Sequence, residues 1–189
     1  MGLLIGLHGV AEDEKGNRIG SARVGKDEIG EYLEHKGFNR QAFSQPLYKT
    51  LEHVYSINPY TLNNLTAQVK EHHKLAVWDK TIRELLQSCG DMYRAIDKDF
   101  FIKHMKLRIG DGNTVITDVR FNNEARFIRE QGGVIVHVHR KTYEGKVAEH
   151  TSEKGIKVED SDLHLYNYGT IKELYDNIYN LVTEIKGKK

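Results

Sequence analysis

The sequence predicts an α/β fold: a parallel sheet in three layers, with helices on both faces. Three observations carry that expectation. β-Rich runs alternate with helically spaced apolar residues, the pattern of strand–helix–strand units. The first run, residues 3–8, is apolar up to Gly9 and reads as a buried parallel strand. A glycine–lysine pattern at Gly20–Lys26 then stands directly before a helix.

The elements follow in order. Residues 12–20 are polar, carry turn residues and read as an exposed loop or hairpin. Ile29, Tyr32 and Leu33 recur at helical spacing from Lys26 to about His35, and Gly37 stops that helix. Residues 38–43 can hold a short strand. Pro46 suits a first helical turn, with Leu47, Leu51 and Val54 following at helical spacing. Residues 57–76 are polar, with a turn at Asn58-Pro59. Ile82, Leu85 and Leu86 share a face over 79–89, and Phe100, Phe101, His104 and Met105 mark a helix over 97–107. Thr114–Thr117 reads as a strand after a glycine-rich turn. Asn122–Gln131 is helical, with Ala125, Phe127 and Ile128 as its buried positions and Gly132-Gly133 as its stop. Val134–Val138 is a second strand, 139–160 a polar loop and Leu163–Leu165 a last strand. Ile171, Leu174, Ile178, Leu181 and Ile185 give a final amphipathic helix over 170–186.

The chain of 189 residues fits one domain. Lys+Arg total 28 and Asp+Glu 27, a net charge of +1. That balance argues against a protein that coats nucleic acid, while a local basic cleft for a small phosphorylated ligand stays open. A lone cysteine, Cys89, allows no intrachain disulfide and fits a reducing, cytoplasmic setting. No stretch approaches the ~20 apolar residues of a membrane span. The start lacks the basic lead-in of a signal peptide.

Gly20-Ser21-Ala22-Arg23-Val24-Gly25-Lys26 fits G-x-x-x-x-G-K. In such a loop the glycines let successive N–H groups point at phosphate oxygens, and the following helix adds its positive end. The lysine reaches the β- and γ-phosphates. Gly20, Arg23, Val24, Gly25 and Lys26 are therefore candidate triphosphate-binding residues; a surface turn before a helix is the plain alternative. Asp27 stands where a magnesium-holding Ser or Thr is usual. Gly9-Val10-Ala11 and Gly20-Ser21-Ala22 are similar triplets eleven residues apart. If residues 12–22 are skipped, Gly9-Val10-Ala11-Arg23-Val24-Gly25-Lys26 also fits and follows the apolar strand directly. Residues 12–22 thus read as an excursion within the strand-to-helix connection. Either it is a hairpin returning to a working loop, which is preferred, or it disrupts phosphate binding.

Several segments then share one resemblance. Arg23-Val24-Gly25-Lys26-Asp27 resembles the R-S-G-K-D loop of tailed-phage deoxynucleoside monophosphate kinases, where the Asp after the lysine is usual. Phe43-Ser44-Gln45-Pro46-Leu47 resembles that family's F-A-x-P-[IL] segment, and Arg83–Gly90 its R-x-x-[LM]-Q-x-x-G helix. Thr117–Ala125 matches its T-D-V-R-F-x-N-E-A stretch, the most specific piece. Gly132–Val138 and His150-Thr151-Ser152-Glu153 match two more. The resemblance implies a P-loop NTPase fold with a helical substrate-binding lobe at about 44–108 and a lid-like loop at about 139–160. It implies transfer of the γ-phosphoryl group of ATP, with Mg2+, onto a deoxynucleoside monophosphate, in the host cytoplasm if phage-encoded. The excursion at 12–22 and Asp91 after Gly90, where G-T-[DE] is common, depart from the pattern. The chain is also short for the family, which suggests a trimmed lobe.

Phosphoryl transfer is mostly positioning and charge neutralisation. Lys26 is the expected phosphate clamp. Asp27 could orient magnesium through water or act near the acceptor phosphate; its alternative is an N-terminal helix acid favoured by the dipole. Asp118, at the end of an apolar strand, could hold magnesium through water or meet the acceptor sugar, or cap the next helix. Arg120 could pair with the acceptor phosphate through its planar fork, or with Glu124. The resemblance places Arg83 and Gly90 in the acceptor lobe; a solvated helix face is the alternative for Arg83. Glu124 could hold base or sugar, or be an exposed helix acid. Arg140 could meet ATP phosphates from the lid or lie on the surface, and His150 and Glu153 could order that loop. The ten histidines form no set with zinc spacing, so no structural zinc site is expected. The expected partner is the small-molecule substrate, without nucleic acid or membrane; a homodimer is left open. The other readings are a different P-loop small-molecule kinase, or a nucleotide-binding protein without catalysis.

Overall fold

The first strand is longer than its apolar run. The structure, a computed structural model, describes residues 2–21, 23–63, 66–141 and 154–187. Strand β1 spans Leu4–Glu12 and β2 spans Arg18–Gly20. β1 does not stop at Gly9, because it stays paired with a neighbouring strand as far as Glu12 and Lys141. The polar excursion is an antiparallel β1–β2 hairpin, with Ala11 opposite Gly20 and Glu12 opposite Arg18. Asp13 builds its tip: the carboxylate accepts from the backbone of Lys15 at 2.9 Å and of Asn17 at 2.7 Å.

Helix α1 (Lys26–His35) follows, then β3 (Asn39–Gln41). Later come β6 (Thr114–Val119), α7 (Asn122–Glu130), β7 (Val134–Lys141), β8 (Leu163–Tyr166) and α8 (Ile171–Gly187). The main sheet runs β3-β6-β1-β7-β8, with β2 appended to β1. Every pairing along that path is parallel. Alternation along β1 decides what it buries. Ile5, Leu7 and Ala11 join Ile29 and Leu33 of α1 and Leu174, Ile178 and Ile185 of α8 in one core. Ile128 of α7 packs over Gly6 on β1.

Residues Met1–Ala42 and Arg108–Lys189 form one compact unit and Phe43–Leu107 a second. The second holds α2 (Gln45–His53), α3 (Pro59–Asn63), α4 (Ala67–His72), a β4–β5 pair (Lys74–Leu75, Lys80–Thr81), α5 (Ile82–Ile96) and α6 (Phe100–Lys106). Residues 57–76 are therefore not a plain polar connection: they hold two short helices, too brief and too polar for an apolar period to announce them. Thr81 and Glu84 cap α5 reciprocally, at 3.2 Å from the Glu84 N–H to the hydroxyl and 2.7 Å from the Thr81 N–H to the carboxylate. That cap fixes the start of α5 at Ile82, and the helix runs to Ile96 rather than 89. Val54, expected on the apolar face of α2, lies past its end and is exposed. Ile171, the first residue of α8, is exposed as well. Among the described residues, no helix is long and apolar enough to cross a membrane.

Candidate functional site

The hairpin returns the chain to Ser21, and a left-handed turn leads into α1. Arg23 has φ 58° and Gly25 φ 98°. Between them Val24 is buried, which anchors the loop to the core while Arg23 stays exposed. The Lys26 ammonium donates to the Ser21 carbonyl at 2.5 Å. A Cβ on Gly9 would collide with both of those atoms, so only glycine on β1 lets the returning loop lie this close. The skipped version of the motif is not the one formed: Val10 and Ala11 continue β1, and the loop is built from Ser21 to Gly25. Gly20 closes β2 at its entrance. Ala22 lies outside the described residues.

A cleft opens beside this loop, with Gly25, Glu28, Arg140, Asn167 and Gly169 in its walls. It joins the loop to Arg140, which the sequence reading placed after a strand; Arg140 is instead part of β7. Residues 142–153 of the lid-like loop, with His150 and Glu153, lie outside the described residues. Asn167, just past β8, is buried, and its side-chain amide donates to the Val24 carbonyl at 2.9 Å.

At the C-terminal end of β6, Asp118 and Arg120 sit where open parallel sheets meet ligands. Glu124 is not an exposed helix acid. It is buried, and its carboxylate accepts from the backbone N–H of Arg120 at 2.8 Å and of Phe121 at 3.1 Å. It therefore fixes the chain between Asp118 and α7 rather than presenting a free carboxylate. Asp27 is highly exposed and pairs with Arg40 at 3.0 Å, a surface contact worth little by itself.

In the second unit, Arg83 donates to Glu71 at 2.8 Å, so it is tied to α4 rather than merely solvated. Gly90 is buried in α5 close to Leu47 of α2.

Histidines cluster across β1, β7 and β8, with His8 edge-on to His137 and His164 against both His137 and His139. Burial, reinforced by the nearby Arg18 guanidinium, pushes His8 down to about 3. Its partners agree with a neutral ring: Nδ1 donates to the Val119 carbonyl at 2.9 Å, and Nε2 accepts from Arg18 at 3.1 Å. His139 donates to Glu12 at 2.8 Å and its other nitrogen meets His164 at 2.8 Å. Burial raises Glu12, but its bonds from Tyr168 and His139 outweigh that and hold it below the usual range. His137 meets Asp162 at 3.0 Å, and Arg129 grips the same carboxylate at 2.6 and 2.9 Å. His137 and His139 are thus tied by hydrogen bonds to carboxylates of the same fold. Among the described residues, no group of three or more His, Cys, Asp or Glu side chains could hold a metal ion.

The motif led to Lys26, Gly25 and Arg23. Asn167, Gly169 and Glu28, which line the cleft, escaped it. The available signal was position: Asn167-Tyr168-Gly169 directly follows the last strand, at the edge where parallel sheets bind ligands.

Comparison with known proteins adds what geometry alone does not. A protein of Acanthamoeba polyphaga mimivirus, provisionally named a deoxynucleotide monophosphate kinase, is 29% identical over 182 residues, covering 87% of this chain and 93% of that relative. The deoxynucleotide monophosphate kinase of Escherichia phage RB69 is 30% identical over 54% of this chain, and that of Enterobacteria phage T4 26% identical over 53%. The matches span 45% and 44% of those two phage proteins, less than half their length. A family model described as deoxynucleotide monophosphate kinase matches residues 56–178, well over half of the chain, and the chain belongs to that family of phosphotransferases.

Proposed function

We propose that this chain is a P-loop kinase that transfers the γ-phosphoryl group of ATP to a deoxynucleoside monophosphate. The observation that carries the reading is the loop Ser21–Lys26. A left-handed Gly25 opens α1, and the Lys26 ammonium lies inside the turn, 2.5 Å from a loop carbonyl it would exchange for phosphate oxygens. On this reading the fold is three-layered, with the acceptor lobe at about 44–108 and a lid-like loop at about 139–160. In the transfer an acceptor phosphate oxygen forms the new bond to the γ-phosphorus. The bond to the β–γ bridging oxygen breaks, and ADP leaves with that oxygen.

The residues divide the work by charge and place. Lys26, Arg23 and the α1 N-terminus hold the triphosphate, and Arg140 reaches it from the cleft. Arg120 offers a planar fork to the acceptor phosphate, with its backbone fixed by Glu124. Arg83 and Gly90 belong to the acceptor lobe. Magnesium, when bound with ATP, would neutralise the β- and γ-oxygens. This ion needs only one or two carboxylates beside phosphate and water, and Asp118 and Asp27 are the carboxylates that could supply them. An enzyme of a phage or virus would act in the host cytoplasm.

The test is ADP release by purified protein with Mg-ATP and each deoxynucleoside monophosphate in turn. Release should require a monophosphate, and Lys26→Ala should lower it by about 10²-fold or more while the variant stays folded. Release without any acceptor, or an undiminished folded Lys26→Ala protein, would sink the assignment. ATP binding without release would favour a non-catalytic nucleotide-binding protein.

A further inference from the structure

We infer that Asn167 is a positioning residue that presets the phosphate loop by locking one peptide plane; the inference rests on the triphosphate-binding reading of that loop. The argument begins with a single buried contact. The Asn167 amide donates to the Val24 carbonyl at 2.9 Å, across 143 residues of sequence. Only the nitrogen end of an asparagine can face a carbonyl oxygen, so the orientation of the side chain is fixed. Its backbone is fixed as well, because its N–H donates to the His139 carbonyl at 2.8 Å and extends the β7–β8 ladder.

The Val24–Gly25 peptide is planar and trans, so its C=O and N–H point in opposite directions. Holding the carbonyl toward Asn167 turns the Gly25 N–H away from Asn167 and so fixes the direction in which it can meet an anion. An anion nest works only if its N–H groups converge before the ligand arrives. Without the amide, that peptide can flip at little cost, since glycine tolerates both orientations. The same amide stands 2.6 Å from where a Cβ on Gly25 would lie, so the lock and the glycine it acts on are mutually fitted. Asn167 touches the loop backbone and lines the cleft, but its role acts through Gly25 and not through a bond to the transferred group.

Asn167→Ala and the near-isosteric, uncharged Asn167→Leu, neither of which offers a donor to the Val24 carbonyl, test this. Inorganic tripolyphosphate serves as the probe because it carries no base. Both variants should bind it about tenfold more weakly by calorimetry, the effect of losing roughly one hydrogen bond of preorganisation. KM for ATP should rise by a similar factor, with kcat and the KM for the monophosphate within about twofold. Tripolyphosphate affinity unchanged in both variants would overturn the lock, and so would a loss confined to adenosine binding, which would make Asn167 a base contact. Should Asn167→Ala fail to fold, the Leu variant still reads the effect. Wild-type protein that binds neither tripolyphosphate nor ATP would instead fail the phosphate-loop reading itself.

Discussion

Gly25 carries two constraints at once. Its φ of 98° lies in the left-handed region, which costs a residue with a Cβ roughly 1–2 kcal/mol. The space is closed too, with Asn167 Nδ2 at 2.6 Å and Leu174 Cδ2 at 3.3 Å from a built Cβ. Both neighbours are buried: Leu174 packs in the core, and Asn167 is held by its bond to the Val24 carbonyl, so making room costs packing or that bond. Gly25→Ala should therefore lower stability by about 2 kcal/mol or more in urea unfolding. It should also weaken triphosphate binding, because relief of the strain must move the loop. An alanine variant as stable as the parent would contradict the closeness of that packing. Gly25 and Lys26 were legible in the sequence because the motif names them. Asn167 was not, because its effect depends on one contact to a carbonyl distant along the chain, and no local pattern encodes that.

At the scale of elements, the apolar period announced α1, α7 and α8 and the starts of β6 and β7. It failed where polar side chains face each other inside the sheet. His137 and His139 are buried on β7 and bonded to Asp162 and Glu12, so β7 runs to Lys141 although its last residues read as a polar loop. The hairpin is one of the two possibilities the sequence offers, but the extension of β1 is not, since Glu12 is half-buried through partners rather than through apolarity. The start of α7 shows the same principle. Its stability rests on Glu124, whose buried carboxylate takes two backbone N–H groups that would otherwise be orphaned. Glu124→Ala should cost about 1–3 kcal/mol, measured by chemical denaturation, and should raise the KM for the monophosphate by releasing Arg120. Glu124→Gln keeps an acceptor oxygen and should lose less. If the alanine variant stays within about 0.5 kcal/mol of the parent, Glu124 is not the anchor of this corner.

For the whole sheet unit, the buried histidines predict how stability follows pH. His8 ordinarily titrates at 6.5 and is pushed down to about 3 in the fold, chiefly by burial. His137 is lowered by burial despite the opposing pull of Asp162, and His164 by burial and the neighbouring His139. For such groups the unfolded chain binds protons that the folded chain refuses. The contribution is therefore complete above about pH 6.5 and is lost as pH falls toward 3. Asp162 shifts down as well: burial raises it, but the bonds from Arg129 and His137 prevail. Its own contribution is present above its ordinary value of 3.8 and disappears only at lower pH. Between pH 7.5 and 5 the buried histidines thus outweigh the carboxylates among the described residues, and His8 by itself removes about 2 kcal/mol. For a chain of this length that corresponds to a fall in Tm of roughly 4–8 °C by calorimetry. Protonation would also set a new N–H on His8 against the Arg18 guanidinium, 3.1 Å away, so the folded state has no easy accommodation. A Tm that is flat from pH 7.5 to 5 would mean that His8 reaches solvent or trades partners. In that case the hairpin that supplies Arg18 would not be held against β1 as the structure has it.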